Sequence, residues 1–205
     1  MDEKLRVGVI TASVREGRQG EAVARWFRGL AEARPELEVL ELDLKVLDLP
    51  TYTERLHPKI AEASYTGEAA RRWVALVGGC DGFVVVTPEY NHGYPPSLKN
   101  ALDHVYAGWN GKPLGFVSYG GSSGGVRAVQ QLRQVAVELQ LAPVRDEVNI
   151  PFVGRALDEH GVPKDPHHAA RAGALLDQLA WWGETLRQGR RRAPFPPPPA
   201  PAPKA

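Results

Sequence analysis

The run from Thr87 to Asp103 carries the residue types best suited to holding a ligand. It follows a short apolar stretch typical of a strand buried on both faces, and two prolines near its middle favour the start of a helix. Before the prolines stand an aromatic ring, an amide and a conformationally free glycine, namely Tyr90, Asn91 and Gly93. Strand-to-helix loops usually bind the ligands of α/β proteins, and this loop offers backbone donors and a flat ring to a planar polar molecule. The alternative is a tight turn with Tyr90 packed inward and Asn91 bonded to its own backbone.

The loop after the first apolar stretch has the composition of a phosphate site. Ser13 can donate a hydrogen bond, Arg15 and Arg18 can neutralise a dianion, and Gly20 lets the backbone approach closely. The loop has neither G-x-G-x-x-G nor a G-K-[ST] ending, so a mononucleotide phosphate fits better than a pyrophosphate. A polar loop with two exposed arginines is the alternative. Asp43, which follows the second predicted strand, is interpreted as a surface residue.

The loop after the fourth predicted strand, Ser118–Gly125, also has ligand-binding character. Its four glycines allow a ligand to approach the backbone closely, although simple flexibility would also explain them. The carboxyl ends of parallel strands meet at one edge of a sheet, so the three loops are expected to lie together. One phosphate loop and two ring-suited loops predict a site for a mononucleotide with a large ring.

These loops need a scaffold in which strands and helices alternate. Five stretches have strand character: Leu5–Ile10, Leu37–Leu42, Gly82–Thr87, Pro113–Tyr119 and Val144–Ile150. Five others have helical spacing of their apolar residues: Gly20–Ala33, Glu68–Val77, Ser97–Val105, Val126–Leu141 and Ala169–Leu186. The alternation predicts an α/β fold with a parallel, doubly wound sheet.

The composition excludes several classes of protein. A chain of 205 residues that is 43% hydrophobic and 24% charged is typical of a soluble globular domain. The net charge of +1 gives no electrostatic reason to expect nucleic acid as a partner. The single cysteine, Cys80, is interpreted as a buried inert thiol. No apolar run is long enough for a membrane span and no signal peptide is recognised, so a cytoplasmic location is expected.

The C-terminal end differs in character from the rest. Residues 1–192 are predicted to form one domain, and residues 193–205 contain seven prolines, which favours a solvated, polyproline-like tail. A spacer is the preferred interpretation over a segment that docks on a proline-binding partner. Arg187 and Arg190–Arg192 are interpreted as a charged helix end.

Taken in order, the three loops resemble those of the NAD(P)H-dependent FMN reductase family. The shared motifs are S-x-R-x-x-R-x-G from Ser13, P-E-Y-N leading to L-K-N-A-L-D from Pro88 to Asp103, and G-G-S from Gly120. The P-E-Y-N element is the most specific of the three, and the resemblance runs from about Leu5 to about Leu186. It implies a flavodoxin-like three-layer sandwich with a five-stranded parallel sheet in the order 2-1-3-4-5 and helices on both faces.

The resemblance also implies a cofactor, a reductant and roles for individual residues. FMN would be held at its phosphate by Ser13, Arg15, Arg18 and Gly20, and at its ring by Pro88, Glu89, Tyr90, Asn91 and Gly93 on one side and Ser118, Tyr119, Gly120, Gly121 and Ser122 on the other. Many members carry serine at the position of Gly93. NADPH or NADH would reduce the flavin, and a small-molecule acceptor (a flavin, a quinone, an azo dye or a metal ion) would reoxidise it. No catalytic side chain and no metal are expected.

The resemblance further implies a homodimer or homotetramer. Tyr106, Trp109 and the irregular segment Thr51–Thr66 are expected to contribute an interface or a lid. Two other functions stay open: an electron carrier of the flavodoxin type without NAD(P)H turnover, and a flavin-binding scaffold whose tail recruits a partner.

Overall fold

The computed structural model of the chain describes residues 3–196. Its centre is one sheet of five parallel strands in the order β2-β1-β3-β4-β5. The strands are β1 (Leu5–Thr11), β2 (Leu37–Asp43), β3 (Gly82–Pro88), β4 (Pro113–Tyr119) and β5 (Ala142–Ile150). Both β3 and β4 are buried along their whole length, as their continuous apolar runs predict. The predicted class and strand order are confirmed.

Helices cover both faces of the sheet. They are α1 (Gly20–Glu32), α2 (Leu44–Leu47), α3 (Pro58–Ala61), α4 (Glu68–Gly78), α5 (Pro96–Asp103), α6 (Val126–Glu138), α7 (Val153–Ala156) and α8 (Pro166–Arg192). On one face α4, α5 and α6 bury Trp73, Leu98 and Leu132 in a common core. On the other face α1 and α8 bury Phe27 and Leu175. The three layers are those that the resemblance implies.

Helix α8 is longer at both ends than the apolar spacing predicts. It begins at Pro166 because Asp165 caps it, accepting a hydrogen bond of 2.9 Å from the amide of His167. Its last turns continue past Leu186 because they make tertiary contacts. Arg187 is buried and donates to the carbonyl of Lys4 at 3.0 Å. The arginines there are therefore more than a charged helix end.

The C-terminal tail is described only over residues 193–196, where Phe195 lies so close to Gly111 that a β-carbon on this glycine would collide with the ring. The predicted polyproline-like character of residues 197–205 lies outside the described residues. The division into a domain and a tail stays a prediction.

Two elements named as interface or lid have other surroundings in the structure. Trp109 is fully buried, with its ring 4.7 Å from that of Phe83, so it is a core residue and the prediction of an interface role is wrong. The segment Thr51–Thr66 contains α3 and packs on α5: the amide of Tyr52 donates to Asn100 Oδ1 at 2.8 Å. Within residues 3–196, no helix has both the length and the apolar character needed to cross a bilayer.

Candidate functional site

The loops after β1, β3 and β4 meet because these three strands are neighbours whose carboxyl ends are level. Thr11 pairs with Val86, and Pro88 pairs with Tyr119. The loops surround an open cleft of ≈ 310 Å³. The predicted residues that line the cleft are Ser13, Arg15, Arg18, Pro88, Glu89, Tyr90, Tyr119 and Gly120. Val153, which begins α7, also lines it, and no pattern in the sequence singled this residue out.

The loops after β1, β3 and β4 are called here the first, third and fourth loops. The first loop is attached to the third through two hydroxyl groups. Ser13 is buried, and its Oγ lies 2.7 Å from the hydroxyl of Tyr90. Helix α1 begins at Gly20, and the residue before it, Gln19, makes no side-chain cap. The first amides of α1 are therefore free of a side-chain cap and, with the positive end of the helix dipole, favour an anion in front of them.

Arg18 differs from its predicted role as a direct phosphate ligand. Its guanidinium forms a two-point ion pair with Asp43, one hydrogen bond measuring 2.7 Å, and also donates to the carbonyl of Ser13 at 2.7 Å. Both side chains are about nine-tenths buried, so Asp43 is not the surface residue expected from the sequence. The pair fixes the first loop against the end of β2, and a bidentate pair in this setting leaves little of the guanidinium for a ligand.

Arg15 is the cation that the first loop leaves exposed. Its guanidinium carbon lies 5.6 Å from the centre of the Tyr90 ring, a cation–π distance. Among residues 3–196 it makes no ion pair. Arg15 can therefore turn towards an anion in the cleft without breaking an ion pair.

The third loop forms a tight turn, as one of the two interpretations expected, but Tyr90 lines the cleft and is not packed inward. The amide of Tyr90 donates to the carbonyl of Gly93 at 2.8 Å, and the amide of Gly93 donates back at 3.0 Å. Asn91 and His92 between them have positive φ of 50° and 70°, which makes the turn type I′. Asn91 and Gly93 do not line the cleft. The turn instead fixes Tyr90, whose ring and hydroxyl form part of the wall.

Glu89 joins the third loop to the fourth. Its carboxylate accepts from the Ser123 hydroxyl at 2.9 Å and from the amide of Arg127 at 3.2 Å, and the Arg127 guanidinium pairs with it at 3.1 Å. The side chain is only 8% exposed, so these partners neutralise a nearly buried charge. The carboxylate therefore holds the two loops at a fixed distance.

The fourth loop offers backbone donors and not the Ser118 hydroxyl. Ser118 is fully buried, donates to the carbonyl of Gly124 at 2.8 Å and accepts from Asn149 at 2.9 Å. Its hydroxyl is therefore committed within the protein, and a contact of Ser118 with a ring stays a prediction. Gly121 and Ser122 are exposed on the rim, and in the described part of the chain their amides donate no hydrogen bond.

Tyr119 ends β4 and lies in the wall, 4% exposed. Burial raises the pKa of its phenol above the ordinary value, so the hydroxyl is protonated at neutral pH. Among residues 3–196 this hydroxyl has no hydrogen-bond partner. An uncommitted donor, an exposed cation and uncapped helix amides around one cleft fit a phosphate, and the adjoining loops fit a flat ring with polar edges.

Two further predictions concern metals and thiols. No group of three or more His, Cys, Asp or Glu side chains within residues 3–196 is placed to hold a metal ion. Cys80 is 2% exposed, and burial raises the pKa of its thiol to about 11. It is buried, as predicted, and its thiol is uncharged at neutral pH.

Fold and site together define a flavodoxin-like protein with a cleft at the carboxyl edge of its sheet whose lining suits a mononucleotide. Residues 5–154 match the family model described as NADPH-dependent FMN reductase. An NAD(P)H-dependent FMN reductase of Schizosaccharomyces pombe is 40% identical over 148 residues, which cover 71% of this chain and 74% of that protein. A quinone reductase of Pseudomonas putida is 30% identical over 189 residues, covering 89% of this chain and 96% of that protein.

Among solved structures, the flavoenzyme NAD(P)H:(acceptor) oxidoreductase FerB of Paracoccus denitrificans superposes with a TM-score of 0.71 at 26% identity, covering 88% of this chain and 98% of that one. The chain belongs to the NADPH-dependent FMN reductase family. The predictions of an NAD(P)H-dependent oxidoreductase, of FMN as its cofactor and of a flavodoxin-like fold are confirmed at this level.

Proposed function

We propose that this protein binds FMN in the cleft between the three loops and uses NAD(P)H to reduce a small-molecule acceptor, with quinones as the leading class. The observation that carries the proposal is the meeting of an anion-suited helix start with two ring-suited loops in one cleft. The Pseudomonas putida relative, a quinone reductase, supports the acceptor class. Flavins, azo dyes and oxidised metal ions are the other acceptors that the resemblance implies.

Different residues would hold the phosphate and the ring of FMN. Ser13, Arg15 and the first amides of α1 would hold the phosphate, and Arg18 would keep the first loop in place through Asp43. Tyr90 and the backbone of Pro88–Gly93 would lie along the ring, with Gly120–Ser122 opposite. When bound, FMN would supply the two-electron redox chemistry that links NAD(P)H to the acceptor.

The protein contributes orientation and electrostatics. The amides of Gly121 and Ser122 could donate to the polar edge of the ring, where negative charge develops on reduction. The Glu89 contacts to Ser123 and Arg127 keep these amides at a fixed distance from Tyr90.

We also propose that the protein acts as a homodimer or homotetramer in the cytoplasm; exposed apolar side chains such as Ile60 and Trp181 offer surface for self-association.

The test is an absorbance spectrum of the purified protein, first as isolated and after incubation with FMN, then after NADPH and finally after benzoquinone. We expect flavin bands near ~450 nm that bleach with NADPH and return with benzoquinone. NADH in a parallel cuvette gives the preference between reductants. Absence of flavin bands after incubation with FMN would contradict FMN binding. Bands that resist both nicotinamides would instead indicate an electron carrier.

A further inference from the structure

Tyr119 has a buried hydroxyl that the fold does not use. The residue is 4% exposed, and within the described residues its hydroxyl makes no hydrogen bond. Buried side-chain hydroxyls are nearly always paired, and an exception calls for a physical reason such as a missing ligand. The side chain reaches from the end of β4, across β3, to the start of α1.

The Tyr119 hydroxyl lies at the N-terminal end of a helix. It lies against Gly20, the first residue of the 13-residue helix α1, so closely that a β-carbon on Gly20 would collide with it. Tyr119 and the residues of the first loop line the same cleft. Only glycine at position 20 therefore leaves room for the Tyr119 hydroxyl, which lies beside the uncapped amides of α1.

The other polar groups around this point already have partners. The Ser13 hydroxyl is bonded to Tyr90, and the Arg18 guanidinium is paired with Asp43. Burial and the nearby Tyr90 raise the pKa of Tyr119, and a hydrogen-bonding approach of the Ser13 hydroxyl, too poorly placed to be a hydrogen bond of normal geometry, and the charges of Arg18 and Arg15 lower it by less, so the phenol keeps its proton. Within residues 3–196 the Tyr119 hydroxyl makes no hydrogen bond of normal geometry, so its proton is available to a ligand.

We propose that the Tyr119 hydroxyl donates a hydrogen bond to the phosphate of the bound mononucleotide and thereby selects phosphorylated over unphosphorylated flavin. This inference rests on the proposed function. It moves Tyr119 from the side of the ring, where the resemblance placed it, to the phosphate. It also gives the phosphate a neutral donor in place of Arg18.

The experiment compares wild type with Tyr119→Phe in three measurements: the Kd for FMN, the Kd for riboflavin, which lacks the phosphate, and the Tm of the flavin-free protein. We expect the Kd for FMN to rise on the order of 10-fold to 100-fold, the loss of one hydrogen bond to a charged group. The Kd for riboflavin should stay within about 2-fold, because the ring contacts are unchanged. The flavin-free Tm should not fall, since the deleted hydroxyl has no partner in the protein.

Tyr65→Phe is the matched control. Tyr65 is also buried, but its hydroxyl donates to the carbonyl of His104 at 2.8 Å, away from the cleft. This variant should lower the flavin-free Tm and leave the ratio of the two Kd values unchanged.

An unchanged ratio of the two Kd values in Tyr119→Phe would overturn the inference, and so would a fall in Tm with equal weakening of both flavins. Either result would leave the proposed function standing. Wild-type protein that binds neither flavin would overturn the proposed function as well.

Discussion

Arg15 and Arg18 lie on the same loop, yet the surroundings of their guanidinium groups differ. Arg18 is buried against Asp43 and serves the loop, because a buried charge is tolerated only with a well-placed partner. Arg15 is exposed over the Tyr90 ring and is not held by a carboxylate within residues 3–196. Residue type and spacing suggested two equivalent phosphate ligands. The structure commits Arg18 to the scaffold and leaves Arg15 without an ion pair within residues 3–196, in keeping with our proposal that Arg15 contacts the phosphate.

Arg15→Met should therefore weaken phosphate binding with little effect on the stability of the fold. We expect the Kd for FMN to rise on the order of 10-fold to 100-fold, and the Kd for riboflavin to change by less than about 3-fold. The free energy of unfolding of the flavin-free protein should fall by less than about 1 kcal/mol, because only an exposed cation–π contact with Tyr90 is removed. Titration of flavin fluorescence and urea unfolding measure the two quantities.

Arg25→Met is the control for net charge. Arg25 is 62% exposed on α1 and pairs with Glu21, so its loss should leave both flavin affinities nearly unchanged. Equal effects of the two substitutions would mean that overall charge, and not a contact from Arg15, attracts the phosphate.

At the scale of the elements, a buried lysine lies at the C-terminal end of α4. Lys112 is 6% exposed, and its ammonium donates to the carbonyls of Val77 at 2.9 Å and Gly78 at 3.2 Å, in the last turn of α4. A cation suits the end of a helix dipole, but burial and the nearby Arg190 disfavour its charge. They lower the pKa of Lys112 from 10.5 to about 8.

The stability contribution of Lys112 should depend on pH with a defined sign. Between pH values near 8 and 10.5 the unfolded chain holds a proton that the folded protein has released, so raising the pH favours folding. The free energy of unfolding of wild type, minus that of Lys112→Met, should rise by about 3 kcal/mol across this window. Urea unfolding at about pH 7.5 and about pH 10.5 measures the change.

Lys59→Met, at an exposed lysine of α3, controls for the loss of a lysine side chain and should show no such change. A difference between wild type and Lys112→Met that stays constant, or falls, with rising pH would contradict the prediction.

The strands and helices could be predicted from the sequence wherever a local apolar pattern determines them. Buried runs such as Pro113–Tyr119 placed the strands, and the loops between them placed the site. The last turns of α8 were missed because they are polar and depend on distant groups such as Asp81. The Arg18–Asp43 pair was missed for the same reason, since it joins the first loop to the end of β2, which only the fold brings together. A pattern also shows that a tyrosine is present, but not which of its neighbours its hydroxyl reaches.

On the scale of the whole molecule, the edge of the sheet opposite the cleft carries a set of ion pairs that joins both ends of the chain. Asp81, at the start of β3, pairs with Arg190 at 3.0 Å and lies 3.7 Å from Arg187, and it accepts the amide of Arg6 at 3.2 Å. Arg187 also donates to the carbonyl of Lys4. One carboxylate thus connects β1, β3 and α8, far from the loops that would bind FMN.

Asp81→Asn should consequently reduce stability and leave the site intact. It leaves Arg190, which is 21% exposed, without its carboxylate, and removes one of the two carboxylates beside the buried Arg187, which keeps Glu184. A partly buried ion pair lies between the surface and the buried cases, so its loss should cost about 2 kcal/mol. We expect urea unfolding to show a loss of that size and flavin titration to show an unchanged Kd for FMN. Arg191→Ala removes an exposed pair with Glu3 at the same end of α8 and should cost less than about 1 kcal/mol. Similar losses from the two substitutions would show that the carboxylate is no more than one surface charge among others, whereas a weakened FMN complex would show that the two edges of the sheet are coupled.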